Sequence, residues 1–526
     1  MGVLLDERLT FQDHLQFAAK KASRALGLLT KVGKSETISC ESMIKLYQSL
    51  VVPHLEYAST VWHMSPHVKL LERIQRQGLI ICLGAVGTAS GESLEVQSNI
   101  LPLDLRREEM AIREFTKILA KPSSSLIKQT AMKCQDSIHD KSKVITPLTN
   151  MVHLTREMED IAEIDIKCLE PEMTYLEYMQ PSRHRPTYWN NLGSSKTRSK
   201  AQELMAKETI EKILTSLPDQ TVVAFTDGSC RGNPGPCGAG ACLYLPGGDA
   251  LNLTQPVSKL SSILVGELVA IKMTLEAVLE ELKKRPIRQV QVLSDSQTAI
   301  GVLTLGWDCN AHNMLVQEIK ILTSQVEDAG VKVQIDWTPG HATIEGNEQA
   351  DRLAKAAALE AETMEKDASQ PVSQADIKTA ARKLAEYKWQ RRWDLSEKDR
   401  QLYALKSNVG GKYIEFRGCL NQKILLQLQN GHCRLQDHLF TVGVSESAGC
   451  ECGAAETIEH YLMSCPMYET ARENMTMRLT LCTDLDQRHI DVITLLRSVT
   501  ENQDRSARIS INKEVDEYIS STGRFK

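Results

Sequence analysis

The chain has few aromatic side chains and no excess of positive charge. Phe, Trp and Tyr make up 5% of its 526 residues, which is low for a large receptor or an array of β-sandwich domains. Lys and Arg number 62 against 67 Asp and Glu, so the formal net charge is -5 and a histone-like or polybasic protein is excluded. Nucleic-acid binding is not excluded, because a local groove can be basic within a nearly neutral chain.

Signals that direct a protein into or across a membrane are also lacking. No apolar run approaches the ~18 residues that span a bilayer. The N-terminus has no cationic start followed by an apolar stretch and a cleavage site, and Asp6 stands where a myristoylation motif needs Ser or Thr. We therefore expect an intracellular protein, nuclear or cytoplasmic, that is not secreted and has no membrane partner. Its 14 cysteines are then expected to be buried apolar side chains where scattered and metal ligands where clustered.

A chain of this length exceeds what one hydrophobic core usually organises. Composition and apolar spacing divide it into five predicted parts. These are a helical segment at 1–120, a connector at 121–217, an α/β domain at 218–360, a charged helical linker at 361–407 and a C-terminal domain with a Cys/His cluster at 408–526.

The α/β domain shows strand and helix patterns in a definite order. Strands are predicted at 222–225, 238–245, 251–257, 290–293 and 331–335, and helices at 262–284, 296–305, 314–326 and 347–358. The order βββαβααβα predicts a mixed five-stranded sheet with flanking helices.

Four acidic residues occupy particular places in this domain. Asp227 closes the first predicted strand and Asp295 ends the fourth, where ligands gather in open α/β sheets. Glu267 lies within the apolar stripe of the first helix and should face the sheet, and Asp351 begins the last helix. Converging carboxylates repel one another unless cations lie between them, and their hard oxygen atoms suit Mg²⁺ or Mn²⁺. Taken singly, each Asp is better explained as a turn residue or helix cap.

The sequences around these acids decide between the two interpretations. In chain order they are Thr226-Asp227-Gly228-Ser229 with Gly232-Asn233-Pro234-Gly235, then Gly266-Glu267-Leu268-Val269-Ala270, Ser294-Asp295-Ser296-Gln297, Pro339-Gly340-His341, and Gly346-Asn347-Glu348-Gln349-Ala350-Asp351. Together they resemble the ribonuclease H domain in the form carried by non-LTR retrotransposons, over about residues 221–359.

The resemblance implies an endonuclease that hydrolyses the RNA strand of an RNA–DNA hybrid and leaves 5′-phosphate and 3′-hydroxyl ends. Asp227, Glu267, Asp295 and Asp351 match the family's acidic ligands for two Mg²⁺ or Mn²⁺ ions about 4 Å apart, with Asp227 bridging both ions. His341 matches a histidine that moves protons or helps the product leave.

The resemblance also implies how the hybrid is recognised. Asn233 matches a residue that contacts the RNA strand, and Ser296 and Gln297 neighbour the same groove. The 2′-hydroxyl of the sugar is what distinguishes RNA from DNA. Residues 221–360 hold 16 acidic and 11 basic residues, so this domain accounts for the whole net charge of the chain.

Short apolar words in the first 120 residues resemble the region after the palm of a non-LTR reverse transcriptase. They include Leu46-Tyr47, Val52-Pro53, Leu55-Glu56-Tyr57-Ala58, Val61-Trp62 and Leu101-Pro102-Leu103. The polymerase motif Tyr-x-Asp-Asp is absent from the chain, so we expect no DNA synthesis.

A third group of residues has metal-ligand chemistry. Cys450, Cys452, His460 and Cys465 lie within 16 residues and suit one tetrahedral Zn²⁺, although this spacing alone fits buried thiols equally well. The words around them, such as Thr457-Ile458-Glu459-His460-Tyr461-Leu462, resemble the segment after ribonuclease H in jockey-like elements, which favours a structural zinc knuckle that binds element RNA. His432, Cys433 and His438 are alternative ligands.

Two other functions compete with hybrid cleavage. The domain could be a non-catalytic remnant of a retrotransposon that binds nucleic acid without turnover. It could also be a different nuclease or an integrase on the same fold, although the Pro339-Gly340-His341 and Asn347-Glu348-Gln349-Ala350-Asp351 words argue against this.

Overall fold

The computed structural model describes residues 2–34, 38–137, 146–162, 165–172, 185–189, 198–307, 312–364, 372–410, 421–483, 490–497 and 505–525. Parts of the expected connector (138–145, 163–164, 173–184 and 190–197), linker (365–371) and C-terminal domain (411–420, 484–489 and 498–504) lie outside these residues. The chain forms two compact units, the first from Met1–Ala111 with Ala385–Lys526 and the second from Ile112–Leu384. The five predicted boundaries stay predictions.

Helices precede the sheet in chain order. They are α1 (Gln12–Val32), α2 (Cys40–Leu50), α3 (Val52–Glu56), α4 (Ser59–Trp62), α5 (Lys69–Leu83), α6 (Gly91–Ser98), α7 (Leu103–Ala120), α8 (Leu126–Ser137), α9 (Pro147–Ala162) and α10 (Lys200–Thr215).

The sheet strands and the helices among and after them follow. They are β1 (Thr221–Cys230), β2 (Gly235–Tyr244), β3 (Ala250–Ser261), α11 (Ile263–Leu282), β4 (Gln289–Ser294), α12 (Gln297–Thr304), α13 (Asn313–Asp328), β5 (Lys332–Trp337), α14 (Glu345–Ala361), α15 (Gln374–Leu395), α16 (Arg400–Leu405), α17 (Gln422–Asn430), α18 (Gln436–Thr441), α19 (Glu469–Cys482), α20 (Val492–Leu496) and α21 (Arg505–Thr522).

The first unit is helical and has a core built from both ends of the chain. Apolar residues at helical spacing on α1, α2 and α5, among them Leu15, Tyr47 and Leu79, are fully buried. They belong to one hydrophobic cluster with Leu425 of α17 and Tyr518 of α21. Segments that are far apart in sequence therefore share one core, as burial of apolar surface favours.

The second unit is organised by a five-stranded sheet with the order β3-β2-β1-β4-β5. The pairs β1–β2 and β2–β3 are antiparallel, and the pairs β1–β4 and β4–β5 are parallel. This arrangement confirms the predicted mixed five-stranded sheet with flanking helices. The helical N-terminal region and a Cys/His cluster in the C-terminal region are confirmed as well.

Helices cover both faces of the sheet. Neighbouring residues of β1 point to opposite sides, so apolar side chains on each face pack against a different helix. Val222 and Ala224 lie in a cluster with Leu268, Ile271 and other apolar residues of α11. On the opposite face, Phe225 lies in a second cluster with Ala350 of α14.

The segment just before the sheet is part of the same fold. Ile210 of α10 is fully buried in the cluster that contains Phe225 and Ala350. Ahead of this helix, the backbone N–H and hydroxyl of Thr187 donate to the buried Asp336 carboxylate at 2.6 and 2.7 Å, and the N–H of Tyr188 donates at 3.0 Å. We call residues 185–189 and 198–215 the upstream segment, because they precede β1 yet complete one face and one edge of the sheet.

Among the elements that are longer than predicted, two change the surroundings of an acid. β1 continues to Cys230 because its pairing with β2 runs into the hairpin, so Asp227 lies inside the strand and not at its end. α14 begins at Glu345, which places Asp351 in its second turn. Among the described residues, no helix combines the length and apolarity needed to cross a membrane.

Removing the Asp336 carboxylate is expected to destabilise the second unit. Asp336→Ala leaves the donors of Thr187 and Tyr188, and the Nε2 donor of Gln291 at 2.9 Å, without their acceptor. We expect a loss of about 2–3 kcal/mol in the free energy of unfolding, measured by urea titration with circular dichroism. Asp219→Ala, at an exposed carboxylate just before β1, should change it by less than about 0.5 kcal/mol. Equal effects of the two substitutions would contradict this account of the upstream segment.

Candidate active site

Three carboxylates meet at one edge of the sheet. Ligand oxygens of Asp227, Glu267 and Asp295 all lie within 4.8 Å of one another, and we call these residues the carboxylate cluster. Thr226 of β1 pairs with Ser294 of β4 in a parallel register, so the next residue on each strand, Asp227 or Asp295, emerges at the same edge. The predicted convergence of these three acids is therefore present in the structure.

Glu267 reaches the sheet because α11 approaches β1 very closely. A Cβ atom at Gly228 would lie 2.4 Å from the backbone nitrogen of Glu267, so only glycine allows this contact. Glu267 is 4% exposed, as its place in the apolar stripe predicts. Its Oε2 atom is buried and has no hydrogen-bond partner among the described residues, which is unusual for a carboxylate.

Burial and mutual repulsion favour the protonated forms of the cluster. Burial, with the charges of Asp295 and Asp351, raises the pKa of Asp227 to about 8. Burial raises the pKa of Asp295 to about 6, while the positive charges of His341 and Arg198 act in the opposite direction. The pKa of Glu267 is raised well above its usual range, first by burial and then by Asp295 and Asp227. A divalent cation would stabilise the ionised carboxylates that the protein environment disfavours, so the donor set fits a hard metal ion.

Asp351 lies beside the cluster and is more accessible. Its side chain is 15% exposed, and its Oδ2 atom accepts a hydrogen bond of 2.6 Å from Lys355 one turn further along α14. A hydrogen bond and the charge of Asp351 both act on Asp227. The fourth predicted acid therefore neighbours the other three but lies outside the tight group.

His341 lies on a loop between β5 and α14, residues 338–344, which we call the histidine loop. Its side chain is exposed, and its charge acts on Asp295. His341 and Thr343 both have φ 55°, a left-handed backbone that is uncommon outside glycine. Sequence reasoning missed a neighbour of this loop, Arg198, whose Nη1 atom donates to the Gly340 carbonyl at 2.9 Å. No motif marks Arg198, because it precedes the sequence motifs that resemble ribonuclease H.

The predicted substrate contacts have bonds within the fold. Asn233 is exposed in the β1–β2 turn, and its Oδ1 atom accepts from the N–H of Ile263 at 3.2 Å, at the start of the helix that carries Glu267. Ser296 caps α12 by accepting from the N–H of Ala299 at 3.3 Å. Gln297 begins that helix, two residues after Asp295. All three lie close in sequence or in contact with elements of the carboxylate cluster.

The four predicted zinc ligands meet in the first unit. Ligand atoms of Cys450, Cys452, His460 and Cys465 lie within 4.8 Å of one another, and we call them the Cys/His cluster. The Sγ atoms of Cys450 and Cys465 are 3.8 Å apart, and Cys452 Sγ is 3.2 Å from His460 Nε2. A tetrahedral ion with bonds of about 2.3 Å separates two sulfur ligands by about 3.8 Å, so the cluster could hold zinc.

The local backbone favours the thiolate form of one cysteine in this cluster, Cys452. The N–H of Ala454 lowers the pKa of Cys452, whereas burial raises the pKa of Cys450 to about 11. Ser464 Oγ lies 3.4 Å from His460 Nδ1, on the side of the ring opposite Cys452, and so orients the ring.

The alternative zinc ligands lie elsewhere. His432 contacts Thr88 and Asp399, and His438 contacts the same threonine hydroxyl at 3.1 Å. Cys433 is buried, which raises the pKa of its thiol to about 11. None of the three belongs to the groups of residues, among those described, whose ligand atoms lie close enough together to share one metal ion.

Comparison with known proteins assigns the α/β domain to a family. The RNase H family model matches residues 219–359. A ribonuclease H of Pseudomonas savastanoi pv. phaseolicola is 35% identical over 150 residues, which cover 26% of this chain and 90% of the relative. A ribonuclease H of Nitrosococcus oceani is 35% identical over 148 residues, which cover 26% of this chain and 94% of the relative. The chain therefore belongs to the ribonuclease H family through this part of its length, as the sequence words predict.

Solved ribonucleases H align with about a quarter of the chain. RNase H1 from the halophilic archaeon Halobacterium salinarum is 26% identical with a TM-score of 0.22, and the match covers 27% of this chain and 98% of that structure. LC11-RNase H1, solved in complex with an RNA/DNA hybrid, is 22% identical with a TM-score of 0.23, and the match covers 27% and 98% respectively.

Replacing Asp227 with Asn is expected to stabilise the metal-free protein at alkaline pH. The folded pKa of Asp227 is raised to about 8 from 3.8. Between these values the folded state holds a proton that the unfolded state has released, so stability declines as the pH rises through this window. We expect the Tm in EDTA to fall more steeply with rising pH for the parent than for Asp227→Asn. Mg²⁺ should restore the Tm of the parent at about pH 8, because it binds the ionised form. Parallel pH profiles for the two proteins would contradict this assignment.

Proposed function

We propose that this protein is a metal-dependent endonuclease that hydrolyses the RNA strand of RNA–DNA hybrids. The observation that carries the proposal is the carboxylate cluster, which lies at the sheet edge of a ribonuclease H family domain. Three carboxylates packed this closely have no structural benefit of their own, because their repulsion costs stability. A binding module would gain nothing from this arrangement, whereas phosphodiester hydrolysis requires bound cations at the reacting phosphate.

Asp227, Glu267 and Asp295 would hold Mg²⁺ or Mn²⁺, with Asp351 completing the ligand set from the accessible side. The buried Oε2 atom of Glu267 without a partner supports this assignment. When bound, two divalent ions supply an activated water and stabilise the charge of the leaving 3′ oxygen.

The protein's own residues orient the acidic ligands and move protons at the site. The close approach of α11 to β1 fixes the backbone of Glu267 beside that of Gly228, the residue after Asp227. His341 is exposed beside Asp295 and is placed to carry a proton between solvent and the site. Lys355 orients Asp351, because its ammonium donates a hydrogen bond of 2.6 Å to the Oδ2 atom of this carboxylate.

Recognition of the RNA strand would use the turn and helix start beside the cluster. The Oδ1 atom of Asn233 is already bonded to Ile263, so Asn233 would contact a sugar hydroxyl through its amide N–H groups. Ser296 and Gln297 would face the same strand from the start of α12. The bond between Asn233 and α11 ties the proposed substrate contact to the helix that carries Glu267.

Hybrid cleavage tests this proposal. Purified protein should cut the RNA strand of a labelled RNA–DNA hybrid in Mg²⁺ and leave 5′-phosphate ends. Glu267→Gln should lower kcat by at least about 100-fold, the scale seen when a group that stabilises transition-state charge is lost. Glu276→Gln is the matched control, because this residue lies on the same helix with a side chain 51% exposed, and it should leave kcat unchanged.

Other outcomes identify the alternatives. Tight hybrid binding without cleavage by the parent would support a non-catalytic remnant. Cleavage of duplex DNA would support a different nuclease on the same fold. Equal activity of Glu267→Gln and Glu276→Gln would remove the cluster from the mechanism.

The remaining segments are proposed to derive from a non-LTR retrotransposon of the jockey type. The support is the reverse-transcriptase-like words of the first 120 residues and the words around the Cys/His cluster. The C-terminal region would bind element RNA through its zinc knuckle. Because four protein ligands would fill the coordination of the zinc, this site would have no position left for catalysis.

The Cys/His cluster is expected to bind one zinc ion per chain. Elemental analysis of the purified protein should give one equivalent of zinc. Cys450→Ser should lose it and lower the Tm, because a structural zinc contributes folding free energy. Cys482→Ser, at an exposed free cysteine, should keep the full zinc content. Zinc content unaffected by Cys450→Ser would exclude this site.

A further inference from the structure

Arg198 lies upstream of the matched family residues yet contacts the candidate active site. Its Nη1 atom donates to the Gly340 carbonyl at 2.9 Å. The next residue, Ser199, begins α10 with a capping box, in which Ser199 Oγ accepts from Gln202 N at 3.3 Å and Ser199 N donates to Gln202 Oε1 at 2.9 Å. The helix start therefore fixes the backbone from which the Arg198 side chain extends.

Gly340 connects this contact to the carboxylate cluster. A Cβ atom at Gly340 would lie 2.2 Å from Asp295 Oδ2, so the backbone of the histidine loop lies directly against this carboxylate. A shift of the loop toward the sheet would collide with Asp295, and a shift away would move His341 from the cluster. Arg198 thus contacts Gly340, the residue that precedes His341 and borders Asp295.

The histidine loop needs external support. His341 and Thr343 have left-handed backbone angles, which cost of order 1 kcal/mol or more each and persist only where neighbours hold them. Ala342 and Ile344, between and after them, pack in the cluster that contains Ile210 of α10. The upstream segment therefore holds the loop by an apolar contact at Ile210 and by a hydrogen bond at Arg198.

The charge of Arg198 is also used. Its guanidinium acts on Asp295, and its Nε atom is buried without a hydrogen-bond partner among the described residues. A neutral side chain of the same length would satisfy Gly340 more cheaply, because a buried cationic nitrogen without a partner costs free energy. The cation is consistent with a role beside a negatively charged site.

We propose that Arg198 is a positioning residue for hybrid cleavage, which holds the histidine loop against Asp295 so that His341 is presented to the carboxylate cluster. The proposal rests on the proposed function and extends it, because it places part of the machinery outside residues 219–359. Arg198 touches neither metal nor substrate in this account; it acts through Gly340 and His341.

The full chain with Arg198→Ala, Arg198→Lys and Lys212→Ala tests the proposal. Lys212 is an exposed cation in the last turn of α10, so it is the matched control. With hybrid and Mg²⁺, Arg198→Ala should lower kcat about tenfold or more with KM changed by less than about twofold, as expected for misplacement of a reacting group. Arg198→Lys restores a charge and one donor and should recover most of kcat, and Lys212→Ala should match the parent.

Two further measurements separate positioning from general stability. Hydrogen exchange of the metal-free protein should show faster exchange at residues 338–344 in Arg198→Ala and parent-like exchange in Lys212→Ala. In a double-mutant cycle, Arg198→Ala should cost much less in a His341→Ala background, because Arg198 acts through His341.

The outcomes are distinguishable. Unchanged kcat in Arg198→Ala, unchanged exchange in the histidine loop, or fully independent losses in the cycle would each overturn the positioning role. If the parent does not cleave hybrids, the proposed function fails, and the exchange data still decide whether Arg198 holds the loop.

Discussion

The mutual repulsion of three carboxylates, two of them buried and one half-buried, is the constraint on which the site depends. Asp227, Glu267 and Asp295 are brought within 4.8 Å by a parallel strand register and by the close approach of a helix to β1. The cost is visible in raised pKa values and in a buried carboxylate oxygen without a partner among the described residues. The rest of the unit supplies the rigidity that resists this repulsion, through an apolar layer on each face of the sheet.

The fold of the α/β domain was accessible from the sequence because its signals are local. The β1 run, the Gly- and Pro-rich turn and the apolar stripe of α11 each lie within about ten to twenty residues, a range over which periodicity is informative. Glu267 is the clearest case, since a charge inside an apolar stripe predicts a buried functional acid. Asp351 was identified instead from the surrounding sequence motif that resembles the family, because its accessible position in the second turn of α14 gives no such signal.

The upstream segment and the core of the first unit could not be predicted in this way. Thr187 and Asp336 are 149 residues apart, and no local pattern announces a bond between them. Ile210 is one of only two residues of α10 that are buried, so the helix has a weak apolar stripe and was interpreted as part of a connector. The common core of α1, α2 and α5 with α17 and α21 is likewise a contact between distant segments, which composition cannot reveal.

The cover that α10 gives to the sheet means that the limits of homology and the limits of folding differ in this chain. Residues 219–359 are what evolution has kept recognisable, yet Phe225, Leu293 and Ala342 share their apolar cluster with Ile210, nine residues before that range begins. A domain excised at the family boundaries would expose this cluster to water and would leave the Asp336 carboxylate without the donors of Thr187 and Tyr188. Similarity to the family therefore identifies the residues of the site. The stable fold also requires the upstream segment, which lies outside the matched range.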